Sequence, residues 1–323
     1  MARCTGVWRP ATHWLADPSE ASIRRAVAAA VPDLANATVA LPPDPETSNP
    51  EWCVSTAIVG GSFVVKFAWS EAAAKRVYRE ASVLQALADA APALPIARLA
   101  GSSDDPMAFV THLVAGRPLR FESRHVNERD RVLIAAELAA FLTALHRPAV
   151  LEEMRDRVPA IATPEPQGTT PAIRERLPEL LDRRRTNLVL GWCDWVDEVL
   201  STPLITQSFV HGDLHGFNQV WDRKTWTLRL MTDFEMAGPA DPEYDLRYLP
   251  PMEPTLALVH AVREHYEALS GRTLSLSRIM AWHVRTALGD ALWRSEAGIP
   301  LPGGSTPASY VDDLEKKLPE VMN

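Results

Sequence analysis

Apolar positions along the first third of the chain change their period twice. Ile23, Val27 and Ala30 recur at helical spacing behind Asp17, Pro18, Ser19 and Glu20. A capping acid, a proline at the first helical position and a following glutamate read as a helix start, which predicts a helix over 18–31. Residues 41–50 are rich in Pro, Asp and Ser and read as a loop. Segments 52–59 and 62–69 are then rich in β-branched and aromatic residues, and only Gly60 and Gly61 separate them. Two such runs across a glycine pair predict a β-hairpin. Ser70 opens a second helix running to about residue 90, with Val77, Ala81, Leu84 and Ala88 on one stripe.

A short strand is expected over 108–113, ending at Val114, Ala115 and Gly116, and a long helix over 127–146. Beyond that the pattern is helical except around 209–234. The class implied is α+β in two lobes joined near 111–117. The division is 1–113, a small lobe with an antiparallel sheet and one long helix, and 114–323, a larger and mainly helical lobe. Residues 148–188 carry many Pro, Glu and Arg, among them Pro164, Glu165, Pro166, Gln167 and Gly168, and read as an excursion with an exposed loop.

Composition narrows the classes of function. The chain has 323 residues, 46% of them apolar, and a formal charge of -8. That balance argues against nucleic-acid binding, which needs a basic face, and mildly favours a cationic partner. The first ten residues lack the apolar core of a signal peptide, and no stretch approaches the roughly 20 apolar residues that span a bilayer. A cytoplasmic protein without a membrane partner is expected. Cys4, Cys53 and Cys193 are odd in number and in no metal-ligand spacing, so free thiols are expected.

The densest chemistry lies in His211, Gly212, Asp213, Leu214, His215, Gly216, Phe217 and Asn218. An Asp five positions before an Asn is the layout of a phosphoryl-transfer loop, in which the Asp accepts a proton from the acceptor hydroxyl and the Asn holds a metal on the nucleotide phosphates. Asp233 ends an apolar run twenty residues after Asp213, and a strand pair between them returns it towards Asn218. Oxygen ligands from separate elements are what a shared magnesium requires. Lys66 alternates with Val65 and Phe67 on its strand, and Glu80 lies on the inward stripe of the next helix. A buried Lys needs a paired acid, and such a pair orients a lysine on phosphates. Blander readings stand beside these. Lys66 could end an exposed strand edge while Glu80 pairs with Arg76, and the loop residues could be turn formers. His211, Asp213, His215 and Asp233 could instead hold a metal pair for hydrolysis, although His211 is also placed to fix the loop by hydrogen bonding.

With these residues in hand, the chain resembles the aminoglycoside phosphotransferase family, relatives of choline kinase with a protein-kinase-like fold, and is somewhat similar to the hygromycin-type antibiotic phosphotransferases. The resemblance runs from Ser48 and Asn49 to the C-terminal helices. It is carried by 211–218, by the segment from Asp233 through Asp241, Pro242 and Asp245 to Leu246, and by Leu142 to His146. It implies Asp213 as catalytic base, Asn218 and Asp233 as magnesium ligands, and Lys66 and Glu80 as the phosphate-positioning pair. It further implies Asp245 as a brace for the catalytic loop and the backbone of Thr111 to Leu113 against adenine. The segment from Asp44 to Asn49 has no glycine, so a phosphate-covering loop there would work through Ser48, Asn49 and backbone amides. ATP is the implied donor, with GTP as the alternative.

In the family the acceptor lies between the catalytic loop and the C-terminal helices. The helix expected over 275–297 carries Trp282, His283, Asp290 and Trp293. An aromatic with an acid could bind a sugar bearing ammonium groups, or the Trp residues could be core packing. Glu235 could add negative potential near the acceptor, or bond within its loop. Arg183, Arg184 and Arg185 read as a solvated helix end. The function expected is an ATP- and magnesium-dependent O-phosphotransferase acting on a small hydroxylated molecule, cationic in the leading case of an aminoglycoside or related antibiotic. A kinase of an amino alcohol or sugar, a metal-dependent hydrolase and a silent nucleotide-binding module are the alternatives. A monomer or homodimer is expected.

Overall fold

The glycine pair predicted to turn a hairpin does so, and the hairpin seeds a five-stranded antiparallel sheet. The structure, a computed structural model, describes residues 13–41, 53–122, 126–158, 162–203 and 206–322. Gly60 and Gly61 adopt φ of 56° and 68°, a region open to glycine at little steric cost. They join β2 (Val54–Val59) to β3 (Phe63–Ala68). The sheet order is β1-β2-β3-β5-β4, with β1 at Val39–Ala40, β4 at Leu99–Asp104 and β5 at Met107–His112.

Strand alternation divides this sheet into two faces. Val65 and Phe67 of β3, with Ala108 and Val110 of β5, pack on Ile23, Ala26 and Val27 of α1 (Glu20–Ala30). Lys66, paired in register with Phe109, is turned the other way, towards α2 (Glu71–Ala90). Val77, Leu84 and Leu87 of α2 are fully or almost fully buried, each contributing about 1.5–3 kcal/mol by leaving water. Ser70 caps α2 through the amide of Ala73 at 3.1 Å. At α1 the cap is Ser19, which accepts from Ser22, rather than Asp17. Asp17 instead binds the Ser19 amide at 2.8 Å.

After β5 the chain leaves this sheet, and β6 (Arg117–Pro118) joins β8 (Gln219–Asp222) and β9 (Thr227–Met231) in a separate three-stranded sheet. β7 (Ser208–Val210) pairs with β10 (Gly238–Ala240). The remaining elements are helical: α3 (Leu119–Glu122), α4 (Glu128–Leu145), α5 (Pro148–Arg157), α6 (Thr170–Arg176), α7 (Arg183–Ser201), α8 (Ala257–Ser270), α9 (Leu276–Ala297), α10 (Pro307–Lys317) and α11 (Pro319–Met322). α4 packs on α8, and α9 packs on α7 and α10. The α+β class with a strand-rich N-terminal part and a mainly helical remainder is the architecture observed.

The excursion expected over 148–188 does carry a mostly exposed loop, at 162–169, set between helices. Most of the excursion is α5, α6 and the start of α7, and the segment around Gly168 lies on α9, where a Cβ at Gly289 would run into the carbonyl of Gln167. Arg184 and Arg185 are ion-paired to Asp312 and Glu315 of α10, not merely solvated. Cys193 is buried, and burial pushes its thiol up to about 11. No single helix among the described residues is long and apolar enough to cross a membrane.

Candidate active site

Two short loops carry the charged centre. Residues 211–218 connect β7 to β8, and 232–237 connect β9 to β10. Pairing of β7 with β10 and of β8 with β9 holds these loops side by side. The amide of Thr232 donates to the carbonyl of Asn218 at 2.9 Å. Gly212 is required twice over: its φ is +83°, and a Cβ there would enter the carbonyl of Met236.

Asp245 organises the first loop from beneath. It is fully buried and accepts the amides of His211 and Gly212, each at 2.9 Å. His146, the last residue of the Leu-x-x-Leu-His stretch, sits 3.1 Å from it through Nε2 and 3.2 Å from the Tyr266 hydroxyl through Nδ1. The carboxylate can only accept, so Nε2 carries the proton. Burial would raise the Asp245 carboxyl, but the His146 hydrogen bond, the nearby histidines and the Gly212 amide hold it below its ordinary value.

His211 spends both ring nitrogens within the protein. Nε2 donates to the Thr232 carbonyl at 2.8 Å, and Nδ1 accepts the Asp213 amide at 3.1 Å. Burial lowers its pKa and keeps it neutral. This corrects the reading in which His211 helps hold a metal pair.

Asp213 is part-exposed at the front of the loop. Asn218 donates its amide nitrogen to the Asp213 carbonyl at 2.9 Å and to its carboxylate at 3.2 Å, and His215 Nε2 lies 3.4 Å from the same carboxylate oxygen. The Asn218 amide oxygen is thereby turned away from Asp213.

Lys66 is the hub of the opposite side. Its Nζ lies 2.5 Å from Glu80 and 2.8 Å from Asp233, with Glu235 at 3.9 Å. Glu80, buried, also accepts the Phe234 amide at 3.3 Å. Arg76 pairs with Glu235, not with Glu80. Burial alone would discharge Lys66, but Glu80, Asp233 and Glu235 together raise its pKa and keep it cationic. Burial, with the neighbouring acids, pushes Glu80 up to about 7 against the pull of Lys66. Asp233 is drawn below its ordinary value by Lys66 despite its burial. Its backbone is left-handed, φ 68° and ψ 58°, which costs a non-glycine residue about 1–2 kcal/mol. The Lys66 ion pair and the Phe234–Glu80 bond offset that strain and aim the carboxylate at Lys66.

Several expected site residues lie elsewhere. Glu235 faces Arg76 and Lys66, so its expected place beside the acceptor is corrected. His283 is buried and donates Nδ1–H to the Arg247 carbonyl at 2.9 Å, and Trp282 donates Nε1–H to Asp241 at 3.0 Å with its ring edge-on to Tyr244. His283 is thus closed off from solvent, while Trp282 is only part-buried. Asp290 pairs with Arg294 at 2.8 Å, and Arg294 also lies over Trp293. Burial raises the Asp290 carboxyl, and the charge of Asp213 reaches it. Thr111 is buried in β5, and the Leu113 amide donates to the Ser62 carbonyl at 2.9 Å. Ser48 and Asn49 lie outside the described residues.

Sequence reasoning passed over Arg247. It is buried, donates to the carbonyls of Gly212 at 2.6 Å and Tyr244 at 2.9 Å, and stacks between Tyr244 and Tyr248. Its place two residues after Asp245 was the only local signal. Arg79 escaped notice in the same way, although it ties α2 to the Ala237 carbonyl at 2.7 Å.

A buried lysine between two carboxylates and an Asp–Asn loop are distributed here as phosphoryl transfer requires. Known proteins agree. The chain is 29% identical over 261 residues to viomycin phosphotransferase of Streptomyces vinaceus, covering 75% of this chain and 84% of that one. Its fold matches that of aminoglycoside 2'-phosphotransferase-IIIa, solved as a GDP complex, with a TM-score of 0.68, 16% identity, and coverage of 92% of this chain and 98% of that one. It also matches macrolide 2'-phosphotransferase type I with a TM-score of 0.58, 19% identity, and coverage of 92% and 97%. The model of the phosphotransferase enzyme family matches residues 40–276, and the chain belongs to that family.

Proposed function

We propose that this protein transfers the γ-phosphoryl group of ATP, with GTP as the alternative donor, to a hydroxyl of a small antibiotic, an aminoglycoside or a related cationic compound. The observation that carries the reading is Lys66 held between Glu80 and Asp233. An ammonium fixed there by two acids is a ready partner for phosphate oxygens, and Asp233 lies beside it to share the same phosphates. Asp213 stands on the other loop, part-exposed at the front, where it can orient an acceptor hydroxyl and take its proton.

The donor set suits magnesium. The Asn218 amide oxygen and the Asp233 carboxylate are hard oxygen ligands on neighbouring loops, the kind this ion prefers. Glu80 and Glu235 approach Asp233 as well, but their side chains are buried while that of Asp233 is part-exposed, so Asn218 and Asp233 are the residues that would hold the ion. When bound, it would neutralise charge on the phosphate oxygens. His211, Asp245 and Arg247 keep the Asp213 loop rigid, so Asp213 meets the hydroxyl without reorganising.

The similarity to viomycin phosphotransferase supports an antibiotic acceptor. A lobe boundary at 113/114 and a cytoplasmic setting belong to the same proposal. The test is nucleotide-coupled ADP or GDP release with magnesium against viomycin, aminoglycosides, macrolides, amino alcohols and sugars. Release with an antibiotic group is expected. Release only with an amino alcohol or sugar would move the protein to the metabolic kinases and sink the antibiotic reading.

A further inference from the structure

Four rings run in an unbroken row from solvent to Asp213. Phe121 meets Phe217 edge to face at 5.5 Å between centroids, Phe217 meets His215 at 5.9 Å, and His215 meets Tyr248 at 5.7 Å. At the inner end, His215 Nε2 is 3.4 Å from the Asp213 carboxylate. At the outer end Phe121 and Phe217 are 59% and 50% exposed. Single exposed apolar residues are ordinary, but a contiguous aromatic row beside a reactive group marks a binding surface.

The backbone beneath the row is fixed. The Arg120 amide donates to the Gly216 carbonyl at 3.1 Å, so the helix carrying Phe121 is tied to the loop carrying Phe217. Contact there is close enough that a Cβ on Gly216 would press on the Arg120 backbone and on Met252. Arg247 lies 4.2 Å from the Tyr248 ring and also holds the Gly212 carbonyl. The rings therefore keep their exposure and their distance from Asp213 together.

Resting on the function proposed above, we propose that this row is the acceptor's stacking wall, and that Phe217 and Phe121 select acceptors whose reacting hydroxyl sits on a saturated ring with an apolar C–H face. The geometry restricts the occupant. A hydroxyl must come within hydrogen-bond reach of Asp213, roughly 3 Å, and the surface leading away from Asp213 past His215 begins with the rings of Phe217 and Phe121. A saturated ring satisfies both ends, placing its C–H face on Phe217 and its hydroxyl on Asp213. An ammonium elsewhere on the same compound would gain from the negative end at Asp213.

The experiment compares acceptor and nucleotide kinetics of wild type, Phe217→Ala, Phe121→Ala, the double variant and Phe217→Tyr, using viomycin, kanamycin and erythromycin as probes, with light scattering of each protein. Because both phenylalanines are exposed, their truncation leaves the core intact. The acceptor KM should rise about 10-fold in each alanine variant, the scale of one lost aromatic contact, while the nucleotide KM holds and kcat changes little. Phe217→Tyr should restore the wild-type acceptor KM. An active wild type with unchanged acceptor KM in both alanine variants overturns the wall and leaves the proposed function standing. A dimer lost in these variants at constant acceptor KM would assign the rings to self-association and overturn it too. A wild type silent with every acceptor removes the proposed function, and the wall with it.

Discussion

Asp245 receives the backbone amide of Gly212 at 2.9 Å, and its second oxygen takes the amide of His211 at the same distance. One buried carboxylate thus sets the backbone on which Asp213 stands, and His146 completes its coordination from the end of α4. Asp245→Asn would place an NH2 donor against an N–H donor in a fully buried site. A loss of about 3 kcal/mol is expected, the scale of a broken buried charge-assisted network. Urea unfolding should show a lower midpoint at unchanged m-value. A midpoint equal to wild type would mean the brace is dispensable.

Lys66 depends on Glu80 for its place and on Asp233 for its proximity to the second loop. Lys66→Ala should raise the nucleotide KM about 10-fold and lower kcat by about 10²-fold, because it removes a fixed charge from the phosphates. Glu80→Gln should weaken the same parameters less, since the lysine keeps Asp233. Steady-state kinetics with nucleotide varied at saturating acceptor make the comparison. Equal nucleotide parameters in wild type and Lys66→Ala would contradict the assignment.

Asp213 has the opposite signature. Among the described residues its carboxylate meets Asn218, His215 and the Tyr248 hydroxyl rather than the Lys66 cluster. Asp213→Ala should cut kcat by about 10²–10⁴-fold, the range of a lost general base, while nucleotide affinity measured by calorimetry stays within a few-fold of wild type. Retained turnover would remove Asp213 from the reaction.

The parts of this site that were legible in the sequence are the local ones. Strand alternation put Lys66 opposite the face of Val65 and Phe67, and the helical stripe put Glu80 inward, so their meeting needed only the two periods. Asp213, Asn218 and Asp233 were legible because one hairpin separates them. Glu235 was misread because its partner Arg76 lies 159 residues away on another element, which no local pattern reports. Strand β4 was missed because Leu99, Gly101 and Ser103 make no apolar face, and its residues are at most half-buried. α5 and α6 were missed for another reason. Pro148 and Pro171 sit in their first turns, where proline starts a helix rather than breaking it.

His283 gives the fold an acid limit. It is buried beneath Arg247, with its Nδ1–H on the Arg247 carbonyl, and burial together with the charge of Lys317 brings its pKa from 6.5 down to about 4. The native state therefore keeps it neutral while the unfolded chain takes up a proton near pH 6.5. Between those two values the unfolded state binds more protons, so stability rises with pH across the window and is lost as pH falls from about 6.5 towards 4. The gap corresponds to about 3 kcal/mol at its full extent. His283→Gln retains an N–H for the Arg247 carbonyl and carries no titratable group. Unfolding free energies at pH 7.5, 6 and 5 should fall more steeply for wild type than for the variant, and parallel curves would show that the acid sensitivity arises elsewhere.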